Sequence, residues 1–134
     1  MEQRVTTPTD EEFARIEAQR KWVREHYEPE AQHKYQTLEG KLRLLRVILE
    51  AGWIEKSETV KLQCLGITFG DALAQELKME WVTVEDEHGR NPALRLPGTT
   101  VIFFPLTMIS KRIERGDVVD VDDLFRCLVT VPEK

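Results

Sequence analysis

Asp86, Glu87, His88 and Arg90 crowd a single short stretch of the chain. Carboxylates beside a histidine could hold a divalent cation or share general acid–base work. Adjacent residues of a turn diverge, however, and no second ligand pair stands at a matching spacing. The structural reading is therefore preferred: Asp86 accepts turn amides, and Arg90 pairs with it or with a neighbouring acid. Asp117, Asp120, Asp122 and Asp123 form a second acidic group. They lack the Asp-x-Asp-x-Asp-Gly order and the closing glutamate of a calcium loop, and helix capping by Asp120 or Asp122 explains them without an ion.

Lys111, Arg112 and Arg115 make a small basic face that could meet an anionic ligand or an acidic partner. The alternative is the solvated face of an amphipathic helix, and Lys41, Arg43 and Arg46 invite the same reading. His26 and His33 lie seven residues apart with Pro29 between them, and neither stands beside a serine or cysteine nucleophile in a known spacing. Cys64 and Cys127 have no metal-ligand spacing and are expected to be buried small hydrophobes. Trp22, Trp53 and Trp81 are expected at the core or its edge. Trp81 is the one expected to reach the surface, because Thr83 and Glu85 share its face, and an exposed aromatic near arginines suits an interface anchor.

The elements that position these residues follow from periodicity. Thr9-Asp10-Glu11-Glu12 fits a capping box that opens a helix carrying Phe13, Ile16, Val23 and Tyr27. Arg20 interrupts that stripe, so the helix is expected to be half buried. A second helix is predicted from Glu30 to Ala51 on Leu38, Leu42, Leu45 and Leu49, with Gly52 as its stop. A third, capped by Ser57 and reaching Lys78, carries Leu62, Leu65, Phe69, Leu73 and Leu77. Gly66 and Gly70 inside it call for compensation. Close approach of another element supplies that, whereas a phosphate loop would need a preceding strand and a following Lys-Ser/Thr pair.

After residue 80 the period changes to 2. Val82 and Val84 face one way, Gly89 allows the turn, and Ala93–Leu96 returns as a second strand. Pro97-Gly98 fits a type II turn, and Val101–Phe104, apolar on both faces, suits the most buried strand. Pro105 then opens a helix with Leu106, Ile109 and Ile113 inward, and a short helix with Leu124, Phe125 and Leu128 closes the chain. The predicted fold is α+β: N-terminal helices packed on one face of a small three-stranded antiparallel meander, followed by two short C-terminal helices.

Three linked blocks carry a resemblance. They are Leu65-Gly-Ile-Thr-Phe-Gly-Asp-Ala-Leu, then Trp81-Val-Thr-Val-Glu-Asp-Glu-His-Gly-Arg, then Phe104-Pro-Leu-Thr-Met-Ile-Ser-Lys-Arg-Ile-Glu-Arg-Gly. In this order they resemble the bacterial family catalogued as domain of unknown function 3806, over residues 38–129. The resemblance implies a bacterial source and a small α+β domain, and assigns no activity. The family turn commonly carries an aromatic where this chain has His88. The first helix, residues 9–28, lies outside the likeness.

With 134 residues, the chain is expected to be a single domain, with residues 1–8 disordered. Its formal charge of −5 speaks against nonspecific nucleic-acid binding. No apolar run approaches the roughly 18 residues of a membrane span, and the N-terminus lacks a signal-peptide core, so the expected location is the cytoplasm. The functional expectation is a non-catalytic protein-interaction module, accessory or immunity-like, whose partner is another protein or a second copy. No catalytic residue, metal or cofactor is assigned. The expected partner or ligand surface comprises Trp81, Asp86, His88, Arg90, Arg95, Lys111 and Arg112. The alternative is a small-molecule-binding protein or hydrolase with a pocket between the third helix and the meander. There Arg90, Arg95 or Lys111 would hold an anion, and Asp86 or His88 would be the base.

Overall fold

The computed structural model describes residues 3–52 and 54–130. Trp53 lies outside the described residues. Helix α3 (Thr59–Leu77) organises the fold. It is apolar on several faces, as a helix enclosed by neighbours must be: Leu62, Leu65, Ile67, Phe69, Ala72 and Leu73 are all buried. Around it stand α1 (Asp10–Arg24), α2 (Leu38–Ala51), α4 (Met108–Glu114) and α5 (Val121–Val129). Helix α2 contributes Leu42, Leu44, Leu45 and Ile48, and α5 contributes Phe125, whose ring meets Phe69 edge-on at 6.1 Å.

The sheet is an antiparallel meander of four strands rather than three, in the order β1 (Arg4–Thr6), β2 (Glu80–Asp86), β3 (Gly89–Arg95), β4 (Ile102–Phe103). The added strand comes from the leader expected to be disordered: Val5 stands opposite Val84, and the Arg4 guanidinium bonds Glu85 at 3.0 Å. The predicted alternation in β2 holds. Val82 and Val84 cluster with Ala93, Val5 and Ile102, while Trp81 turns to the main core.

Strand β3 starts earlier than expected, at Gly89, and takes Pro92 into the pairing opposite Thr83. It can do so because β4 pairs only with Leu94 and Arg95, so the rest of that edge of β3 asks for no amide. Strand β4 is thus a two-residue edge strand, not the most buried one, and the flanking Val101 and Phe104 are exposed.

Helix boundaries show where side-chain chemistry overrides periodicity. The capping box at Thr9 and Glu12 is present as predicted. The expected helix from Glu30 to Ala51 is instead divided. Pro29–Gln36 winds as a 3-10 helix, and Thr37, in extended conformation, caps α2 by accepting from the Gly40 amide at 2.9 Å. Gly40 has no room for a side chain, because the Lys34 carbonyl occupies that space. Helix α3 begins after Glu58, with no side-chain cap from Ser57. Asp120 caps α5 through the Asp123 amide. Cys64 is buried but Cys127 is exposed, which corrects the expectation for the second thiol. No helix among the described residues is long and apolar enough to cross a membrane.

Candidate functional site

Gly70 and Gly66 form a side-chain-free strip on α3. A Cβ on Gly66 would lie 2.5 Å from the Pro105 carbonyl oxygen, and one on Gly70 would lie 2.7 Å from the Trp81 ring. The strip is therefore covered by the 3-10 turn Pro105–Thr107 and by Trp81, as close approach required. That packing sets Trp81, from the meander, directly against α3. It also delivers the Trp81 indole to Asp71, the residue next to Gly70.

Asp71 is the centre of a polar cluster. Its Oδ2 accepts from Arg20 Nε at 2.6 Å and from the Tyr35 hydroxyl at 2.6 Å. Its Oδ1 accepts from Arg20 Nη2 at 2.8 Å and from Trp81 Nε1 at 3.1 Å. A carboxylate offers about four lone-pair positions, and these donors fill them. The Tyr35 hydroxyl has one proton, which goes to Asp71, so its contact of 2.9 Å with Thr68 Oγ1 has threonine as donor. Burial, then the Asp71 charge, push the Tyr35 phenol well above its ordinary range. Hydrogen bonds to Asp71 likewise raise the already strong basicity of Arg20.

Beside this cluster lies a cleft of about 500 Å³ lined by Glu17, Arg20, Arg24, Tyr35, Lys41 and Gln75, among others. Arg20 and Arg24 both reach Glu17, at 2.9 and 3.2 Å. Lys41 is only 7% exposed. Its Nζ donates to Gln75 Oε1 and stands 5.2 Å from the centroid of the Tyr35 ring. Gln75 is oriented in turn by donating to the Gln36 carbonyl at 3.3 Å. The Arg24 guanidinium carbon is 5.9 Å from the same ring centroid. Burial draws the Lys41 ammonium below the usual lysine range, with Asp71 opposing that shift and Arg20 adding to it.

The residues singled out from the sequence do not meet in this cleft. Trp81 is half buried and bonded to Asp71 rather than presented as an anchor. Asp86 accepts from the His88 amide at 2.8 Å, as a turn residue should. Arg90 forms two bonds with Glu12, at 2.8 and 3.0 Å, and a third with Glu85 at 3.1 Å. Arg95 pairs with Glu80, and Arg112 donates to the Met108 carbonyl of its own helix. His88 and Lys111 are exposed. Among the described residues, no group of three or more His, Cys, Asp or Glu side chains is placed to hold a metal ion.

Asp71, Tyr35 and Arg24 were not singled out from the sequence, and Lys41, read there as part of a basic face, is buried, although signals existed. Arg20 breaks an apolar stripe and so asks for a buried acid. Lys41 falls on the face of α2 that carries Leu44, Leu45 and Ile48, not on the solvated one.

The model of the family described as "Domain of unknown function (DUF3806)" matches residues 41–125, more than half of the sequence. The chain belongs to this family. The matched segment runs from Lys41 to Phe125, so it includes Lys41, Asp71, Gln75 and Trp81, while α1 and Tyr35 precede it. A crystal structure from Bacteroides thetaiotaomicron VPI-5482 shares the fold, with a TM-score of 0.75 at 18% identity over 96% of this chain. The present chain spans about half of that protein, 48% of its length. No curated protein matches the sequence significantly.

Proposed function

We propose that this chain is a non-catalytic binding module, a small cytoplasmic bacterial protein of accessory or immunity-like type that acts by engaging another protein. The observation carrying this reading is the state of Asp71. It lines the cleft together with Glu17, which Arg20 and Arg24 hold, and four donors occupy it. A base or nucleophile needs a free lone pair within reach of its substrate, and Asp71 has none to offer. Asp86, one of the two bases expected from the sequence, is engaged within the turn, and Arg90, an expected anion holder, is paired with α1. Exposed His88 and Lys111 remain available to a partner.

The test is affinity capture from native lysate with wild type beside His88→Ala and Lys111→Glu, together with light scattering at micromolar concentration. A stoichiometric protein lost in either variant is expected. Finding neither a partner nor self-association would remove the reading.

A second reading, a small-molecule-binding protein, is favoured by the cleft between α1 and α3. That cleft lies elsewhere than the pocket expected from the sequence between α3 and the meander.

A further inference from the structure

Lys41 is the least conventional charged residue of the described structure. An ammonium removed from water is costly unless a counter-charge or a full set of acceptors replaces its hydration. Lys41 is 7% exposed, and among the described residues no carboxylate lies within ion-pairing distance and its one hydrogen bond goes to a neutral amide oxygen. Two of its three N–H donors therefore have no acceptor among the described residues. The face of the Tyr35 ring compensates in part, since an aromatic quadrupole attracts a cation.

The surroundings are ordered rather than adaptable. Tyr35 is fixed by Asp71 and Thr68, and Gln75 by the Gln36 carbonyl. Arg24 stands near the same ring and, among the described residues, is bonded only through Nη2, to Glu17 at 3.2 Å. Its Nε and Nη1 donors remain for a ligand. Arg20, by contrast, is occupied by Asp71 and Glu17.

We propose that the cleft between α1 and α3 binds a monoanionic carboxylate, with Lys41 and Arg24 as its donors and the Tyr35 ring as its wall. Charge favours one negative unit. Arg20, Arg24 and Lys41 face Glu17 and Asp71, so the cleft lining carries a single net positive charge. A phosphate dianion would meet the two resident carboxylates with an excess of its own. A guanidinium and an ammonium that line the same cleft, both near the Tyr35 ring, suit the two oxygens of a carboxylate. The carboxylate belongs either to a free organic acid or to the end of a partner's chain. This inference rests on the binding-module reading and gives that reading a ligand chemistry.

The test is NMR titration of the full chain, following backbone amides and arginine Nε resonances. The probes are benzoate, inorganic phosphate, and a short peptide with either a free or an amidated C-terminus. Benzoate or the free-acid peptide is expected to shift the Lys41 and Arg24 signals saturably, whichever binds more tightly identifying the source. Lys41→Met should weaken that binding at least tenfold, and Arg24→Gln several-fold, with the remaining spectrum reporting an intact fold. The second variant lies on a partly exposed side chain, so it stands if the first fails to fold. No carboxylate response, unchanged binding in both variants, or stronger binding of phosphate or of the amidated peptide would overturn the proposal. Chemical conversion of a bound probe would instead overturn the non-catalytic reading and leave the site in place.

Discussion

Arg20 and Asp71, 51 positions apart in sequence, face each other through paired guanidinium–carboxylate bonds of 2.6 and 2.8 Å. The pair joins α1, which precedes the matched family segment, to α3 at the centre of that segment. The Asp71 side chain is 9% exposed and that of Arg20 is 25% exposed. A partly buried pair of this kind derives its value from having both members present.

Removing Asp71 alone is therefore expected to be severe. Asp71→Ala would leave Arg20, Tyr35 and Trp81 donors without their acceptor, at a cost on the order of 3 kcal/mol or more. Combining it with Arg20→Met should recover part of the loss, because the stranded guanidinium is gone. Urea denaturation of the two single variants and the double variant measures this. Strict additivity would show that the two residues do not act as a unit.

Glu12 predicts a stability change in acid. Hydrogen bonds from Arg90, the Thr9 amide and, more weakly, Thr83 outweigh the opposing effect of burial and hold its carboxyl down at about 2. The folded value lies below the ordinary 4.5, so the stabilisation is fully present above pH 4.5 and disappears as pH falls through about 2. Glu12→Gln retains a side-chain acceptor for the Thr9 amide but loses the charge that Arg90 meets. Its melting temperature should lie below wild type at pH 7, and the two should converge near pH 2. A gap that is independent of pH would refute the assignment.

The glycine strip on α3 predicts an inversion of helix propensity. Alanine in a helix interior is normally favoured over glycine by about 1 kcal/mol. At Gly66 the new Cβ would meet the backbone oxygens of Pro105 and Leu106 at 2.5 and 2.6 Å. Gly66→Ala is expected to lose about 1–3 kcal/mol through overpacking. Gly70→Ala should lose less, since it meets the side chains of Trp81 and Pro105. Denaturant midpoints above wild type would show that α3 is not approached this closely.

Local signals were legible where the physics is local. The capping box at Thr9 needs only residues three apart, and it forms as read. The hairpin at Asp86–Gly89 and the turn at Pro97-Gly98 likewise depend on neighbouring torsions: Gly89 and Gly98 both take positive φ, and Thr99 donates to the Leu96 carbonyl. The family, the α+β class and the glycine strip are likewise legible in the sequence. The division of the predicted second helix was not, because it depends on how Lys34 packs against Gly40.

The cleft was illegible for a deeper reason. Composition and periodicity determined that the chain buries α3 and pairs an antiparallel meander, because patterning selects which face of each element leaves water. Which polar side chains meet was decided only by tertiary structure. Glu17, Arg20 and Arg24 come from α1, Tyr35 from the 3-10 segment, Lys41 from α2, and Asp71 and Gln75 from α3. No sequence spacing relates four separate segments. Their distances follow from the angles at which the elements pack, and those angles are set by the whole core at once.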